Sequence, residues 1–301
     1  MTEFVQHLVN GLSLGSVYAL IALGYTMVYG VLQLINFAHA EIFMLGAFAG
    51  YYSASWLPAF QREPRFLVIL SLSMATCALL GTVIERFAYR PLRYSPRLNA
   101  LITAMGVSML IQAIGQLPFF MGPSPRFFPE LLPNTTLLSL GGVGVSSLQA
   151  VTLVSSVVLM IGLHRLVFHS RFGSAMRAVS FDARTAGLMG IDANRVIALT
   201  FMVGSALAAA AGILVGLSYP RIEPTMGVLL GLKAFVAAVL GGIGNVRGAM
   251  VGGLTIGLVE AMAVGYGSSS YRDAVAFGIL ILVLIFKPSG IFGRGAVVEK
   301  V

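Results

Sequence analysis

The sequence predicts an all-α, polytopic transmembrane helix bundle of about 8 to 9 spans. Hydrophobic residues make up 57% of the 301 positions and charged residues 10%, where soluble domains carry about 25% charged residues. Mean hydropathy is +0.91, and the apolar runs between charges are long enough to cross a bilayer at roughly 20 residues each. Such a chain has no room for a sizeable aqueous domain, so residues 1–301 read as one transmembrane domain.

Candidate spans lie near 7–30, 37–57, 66–86, 99–121, 148–168, 196–217, 228–244, 248–267 and 272–287. The first follows Met1-Thr2-Glu3-Phe4, which lacks the basic start of a cleaved signal peptide, so it is expected to be retained. The fourth and sixth are the firmest, because neither Leu98 to Pro125 nor Val196 to Pro220 contains a charge. The last three are short and glycine-interrupted. They read either as closely packed helices or as discontinuous ones lining a pathway, since irregular backbone at membrane depth survives only inside protein or beside water.

Basic residues divide unevenly between the two sides that alternating spans create. Arg86, Arg90, Arg93 and Arg97 share one loop, Arg165, Arg171, Arg177, Arg184 and Arg195 flank another, and Arg247, Lys287, Arg294 and Lys300 join them by parity. Arg62, Arg65, Arg126, Arg221 and Arg272 fall opposite. The richer side is expected to be cytoplasmic. The net charge of +8 therefore reports topology, and no basic-aromatic cluster for nucleic acid is present. The outer loop 122–147, rich in Pro and Gly, is expected to be irregular cover. The inner loop 169–195 holds an amphipathic stretch, 173–191, with helix formers and Gly190 at a plausible C-cap, and reads as a short surface helix.

Few residues suggest chemistry. Cys77 is the only cysteine and lies in an apolar run, so neither a disulfide framework nor a thiolate metal site can form within one chain. His7, His39, His164 and His169 show no metal-binding spacing, and none of Lys233, Lys287 and Lys300 follows glycine as a phosphate-binding loop requires. Gly11-Leu12-Ser13-Leu14-Gly15 matches a nucleophile-elbow pattern out of its structural context. Gly244, Gly248 and Gly252, spaced by four, are expected to share a packing face. Glu41, Lys233 and Glu260 fall at membrane depth, where an ionised group is costly and so faces the bundle interior or a pore. Glu41 could cap a helix beside Asn36 and His39, or serve a pathway or gate. Lys233 and Glu260 could pair across adjacent spans or relay ions.

The run Gly24-Tyr25-Thr26-Met27-Val28-Tyr29-Gly30-Val31-Leu32-Gln33-Leu34-Ile35-Asn36-Phe37-Ala38-His39-Ala40-Glu41 resembles the signature of the LivH-type permeases of branched-chain amino acid ABC importers. The likeness continues through Arg177-Ala178, Asp182, Ala186 and Gly190-Ile191, then Gly231-Leu232-Lys233-Ala234-Phe235, Val239 to Asn245, and Tyr271 to Val275. The resemblance implies a permease subunit in the bacterial inner membrane without a catalytic site or bound cofactor of its own. It would work with a second homologous permease, two cytoplasmic ATPases carrying ATP and Mg, and a periplasmic amino-acid-binding protein. It also implies that loop 169–195 couples to an ATPase, with Arg177, Ala178, Asp182, Ala186 and Gly190 forming the docking element. Asn36, His39, Glu41, Lys233 and Glu260 are then candidates for the translocation pathway or gate. Ala40 stands where the family usually has Gly, and Arg247 where Pro is common. A related urea or short-amide importer shares these motifs, and an ion-coupled secondary transporter using Glu41, Lys233 and Glu260 is the reading from another class.

Overall fold

The computed structural model describes residues 2–57, 62–93, 95–140 and 142–293. Among the described residues, nine long helices form the body: α1 (Thr2–Leu32), α2 (His39–Trp56), α3 (Arg62–Ile84), α4 (Arg97–Gly115), α5 (Ser147–His169), α8 (Ala193–Ser218), α9 (Met226–Gly241), α10 (Val246–Tyr266) and α11 (Arg272–Phe286). Two short helices, α6 (Arg171–Phe181) and α7 (Ala183–Leu188), fill the loop between α5 and α8. Seven helical segments are long and apolar enough to cross a membrane, with α2 and α9 outside that set.

Contacts sort the helix ends onto two faces. On the first, the Gln6 side chain exchanges two hydrogen bonds with the backbone of Gly144, at 3.1 and 2.9 Å, which brings the start of α1 to the segment leading into α5. Tyr52 at the end of α2 donates to the Phe120 carbonyl beyond α4, and His7 packs edge-on against Tyr266 at the end of α10. On the second, Ser180 donates to the Gly30 carbonyl near the end of α1, and Asn245 before α10 donates to the Phe292 carbonyl at 2.9 Å. The nine long helices thus alternate in direction. Arg65, Arg126, Arg221 and Arg272 lie on the first face and Arg171, Arg177, Arg184, Arg195 and Arg247 on the second, as the charge pattern predicts, while Arg294 and Lys300 lie outside the described residues.

Several boundaries follow from local chemistry. The fourth span was expected to reach residue 121, but α4 stops at Gly115, because Pro118 cannot continue the helical hydrogen bonding. The end of α3 widens into a π turn, Glu85–Tyr89, and a 3-10 turn, Arg90–Leu92, where Pro91 lacks the N–H that the Phe87 carbonyl would accept. A reciprocal capping box of Ser146 and Gln149 starts α5. The outer loop is more ordered than expected. Strand β1 (Arg126–Phe127) pairs with β4 (Arg221–Ile222), and β2 (Thr136–Leu140) with β3 (Val143–Ser146), so these short edges find partners and satisfy backbone groups locally.

Helix α1 lies at the centre, touching α8, α9 and α10 along its length. It approaches α10 backbone to backbone. A Cβ on Gly11 or Gly15 would press on Leu258 or Leu254, and one on Gly253 or Gly257 would collide with Ala19 or Gly15. The sequence Gly11-Leu12-Ser13-Leu14-Gly15 is therefore half of a packing seam. Where lipid removes the hydrophobic drive between helices, such close contact supplies the attraction. On the opposite side of α10, Gly248 and Gly252 meet the α9 backbone at Gly241 and Ala237. Gly244, expected on the same face, lies before the helix in the turn, with φ +91, and is a glycine for backbone conformation. Gly46 and Gly212 make the same kind of approach between α2 and α8.

Placing Leu at Gly253 forces the α1 and α10 backbones apart and should cost about 3 kcal/mol or more. Gly278→Ala, where a Cβ meets nothing within 4 Å, should change stability by less than about 1 kcal/mol. Thermal unfolding of the purified variants in detergent measures both.

Candidate functional site

Three clusters hold the residues that the sequence singles out. The first is a break in the bundle. Gln33, just past α1, takes a left-handed conformation (φ 52), unusual for a non-glycine residue, and its N–H is held by the Tyr29 carbonyl at 2.8 Å. The chain reverses there, and residues 33–38 run back into the protein. His39, the first residue of α2, packs against Gly24, eight residues and about 12 Å before the end of α1. Helix α2 therefore starts at depth. Helix α9 starts beside it: Gly227 and Gly231 press against Ala40, so Gly231 leaves the space that the Ala40 methyl occupies.

Asn36, His39 and Glu41 are all buried at this junction. Asn36 accepts from the Tyr89 hydroxyl, and His39 lies edge-on to Tyr25 with ring centroids 4.8 Å apart. Capping of its own helix was one of two readings for Glu41, yet α2 has no side-chain cap. Glu41 instead accepts from Ser108 at 3.1 Å and Gln112 at 2.7 Å, both on α4. Its other oxygen faces Gly227 at the start of α9. Thr26 Oγ1, Asn36 Nδ2, His39 Nε2 and Glu41 Oε2 have no hydrogen-bond partner among the described residues. Four orphaned polar atoms between residues 26 and 41 are unusual, because nearly all buried polar groups are satisfied.

The second cluster is ionic. Lys233 on α9 and Glu260 on α10 pair at 3.1 Å, with side chains only 3% and 1% exposed. Glu260 also faces Arg272 Nε at 2.9 Å and accepts from the Tyr18 hydroxyl of α1 at 2.9 Å. Lys233 reaches Asp273 at 2.6 Å. Two cations and two anions thus neutralise one another and tie α1, α9, α10 and the start of α11 together. Arg272 and Asp273 enter this cluster through space alone, so spacing along the chain gave them no signal as part of it.

The third is the loop between α5 and α8. One surface helix was expected, and the structure has two. Asp182 ends α6 and caps α7, accepting the Arg184 N–H at 2.8 Å and the Thr185 hydroxyl. Asp182 is held below the usual carboxylate range, first by the Thr185 hydroxyl and next by the Arg184 N–H. Gly190, with φ +82, turns the chain back towards α8. Arg177 folds onto the end of α5, donating to the Val167 carbonyl. Ala178 is partly buried and Ala186 buried, so both pack inward. Phe181, Leu188 and Met189 are instead exposed, at 96%, 88% and 79%. They escaped the sequence reading because an apolar residue on a short helix looks the same whether it faces the core or the solvent. Beside this loop the Arg247 guanidinium sits over the Phe168 ring at 5.1 Å.

Two variants test these geometries. Glu260→Gln leaves Lys233 and Arg272 with Asp273 as their one remaining anion and should cost about 3–5 kcal/mol, while Glu260→Met with Lys233→Met should recover most of it, as read from thermal unfolding in detergent. Asp182→Ala should speed hydrogen exchange at the amides of α7, whereas Asp182→Asn should keep them protected. Because the folded-state pKa of Asp182 is lowered, the protection its carboxylate provides is complete above the ordinary aspartate range and is lost only as pH falls through the lower folded value.

Comparison with known proteins agrees with the geometry. Residues 7–284 match the family model described as "Branched-chain amino acid transport system / permease component". The chain is 44% identical to the high-affinity branched-chain amino acid transport system permease protein BraD of Pseudomonas aeruginosa, over 99% of this chain and 98% of that one. It is 42% identical to the permease protein LivH of the corresponding system of Escherichia coli, with the same coverage. A probable branched-chain amino acid transport permease protein LivH of Methanocaldococcus jannaschii is 25% identical, over 91% of this chain and 88% of that one. Matched along nearly its whole length, the chain belongs to the branched-chain amino acid transport system permease family.

Proposed function

We propose that this chain is the permease subunit of an ATP-driven importer that carries leucine, isoleucine or valine into the cell by alternating access. The observation that carries this reading is the family match together with near end-to-end identity to permeases named for branched-chain amino acid transport. All nine long helices cross the bacterial inner membrane, with α2 and α9 completed by the non-helical segments that precede them. The second, arginine-rich face is cytoplasmic. A second homologous permease, two ATPases that bind ATP and Mg, and a periplasmic amino-acid-binding protein complete the machine.

The loop 169–195 is the part that meets an ATPase. Phe181, Leu188 and Met189 insert into the ATPase surface, and Asp182 and Gly190 hold the two short helices at a fixed angle so that closure of the ATPases moves α5 and α8. A conformational change needs an interaction that differs between its two states, and this contact supplies it. The junction of α2 and α9 is the midpoint of the pathway. Its orphaned polar atoms at Asn36, His39 and Glu41 stand ready for a polar solute, while the Lys233–Glu260 cluster anchors α9 against α10 as the bundle rocks. A related urea or short-amide importer would share the architecture, and the cognate binding protein separates the two.

Proteoliposomes holding the complete transporter should take up tritiated leucine only with ATP and the loaded binding protein. Uptake driven by a proton gradient at constant ATP would replace this reading with ion coupling. Leu188→Asp or Phe181→Asp should lower uptake by about tenfold or more, by removing a contact that measures about 2 kcal/mol in comparable buried interface anchors. The variant subunits should still insert in the membrane, and the ATPase activity of the complex should no longer respond to the loaded binding protein.

A further inference from the structure

A cavity of about 400 Å³ opens at the first face between α1, α5, α8 and α10, apart from the α2–α9 junction. Its size is at the lower end for a single small ligand. Leu14, Val17, Val215 and Val264 form an apolar wall, and most of the remaining lining is polar, including Asn10, Gln149 and Arg272. Thr152 on α5 and Ser218 on α8 place their hydroxyl oxygens 3.4 Å apart at its edge. Among the described lining residues the one full charge is Arg272, whose side chain is 40% exposed and whose Nε lies 2.9 Å from Glu260. A guanidinium engaged through Nε still carries two terminal nitrogens of the kind that pair with a carboxylate.

We propose that this cavity is an outer binding vestibule for a free aliphatic amino acid, a site on the permease distinct from the pathway midpoint. Arg272 takes the carboxylate, the Thr152 and Ser218 oxygens accept from the ammonium, and the valine and leucine wall holds the side chain. The amphipathic lining suits a zwitterion with a branched apolar side chain and disfavours an acidic or basic one, whose second charge meets polar groups there but no charge of opposite sign left over from the zwitterion. Arg272 is thereby shared between the vestibule and the buried Glu260–Lys233 cluster, so occupancy at the first face acts on the ion pairs that join α9, α10 and α11. The identity of the ligand rests on the branched-chain reading given above.

Ser218→Cys, a near-isosteric change, provides the test in the complete transporter, since Cys77 is fully buried. Membrane-impermeant methanethiosulfonate is added from the outside and labelling of this chain is followed over time. Free leucine at about ten times its dissociation constant should slow labelling by about tenfold, whereas glutamate and lysine should not. Labelling unaffected by leucine, in a complex that takes up leucine, overturns the proposal while leaving the importer reading intact. So does a cysteine that reacts only after denaturation, or one whose labelling responds to lipid composition and not to leucine. If the parent complex takes up no leucine at all, the importer reading fails and the proposed ligand fails with it.

Discussion

The contact on which the structure depends is the glycine-lined approach of α1 to α10. In lipid a helix gains little by hiding apolar side chains from a solvent that is itself apolar, so attraction comes from the closeness of backbones. Gly11 and Gly15 on one helix and Gly253 and Gly257 on the other remove the side chains that would hold the axes apart. With α10 drawn against α1, Glu260 comes within reach of Tyr18, and Lys233 and Arg272 can close around it. The ionic cluster is thus a consequence of the seam, and its neutrality is what lets Lys233 and Glu260 lie buried in the bundle with Arg272 and Asp273 closing over them from its edge.

A second constraint acts on the two helices that begin at depth. Backbone that is neither helix nor sheet is tolerated there only when protein surrounds it, and the deeper part of residues 33–38 meets that condition, with Asn36 and Ala38 buried and Gln33 exposed. Asn36 is held by Tyr89, Phe37 packs against Phe235, and the reversal at Gln33 is pinned by the Tyr29 carbonyl. Interrupting a span in this way brings the starts of α2 and α9 together and leaves polar atoms where an unbroken helix would present only side chains. Ala40 and Gly231 make a complementary pair across that meeting point.

Much of this was legible in the sequence. Charges bracket the spans, so their order and approximate limits followed from composition, and the arginine bias separated the two faces. Pairing of Lys233 with Glu260 was an open alternative because an isolated charge at depth demands a partner. Other features had no local signal. A break between the first two spans was expected at 31–36, but nothing in Leu32-Gln33-Leu34-Ile35 announces that the chain turns back into the protein and that α2 starts at depth. The strands at Thr136–Leu140 and Val143–Ser146 are too short for alternation to stand out from a loop. Gly244 shares the spacing of Gly248 and Gly252 but serves a turn, a distinction that depends on where α10 begins. Which apolar residues of the 169–195 loop face outward depends on how α6 and α7 lie against α5 and α8, which spacing alone does not encode.

The exposed trio of Phe181, Leu188 and Met189 also bears on how the transporter is made. On the function proposed above, a subunit that presents three large apolar side chains to the cytosol before an ATPase covers them is a sticky intermediate, open to self-association and to proteases that survey unassembled subunits. Under that reading, balanced synthesis of permease and ATPase is a condition for the permease to accumulate.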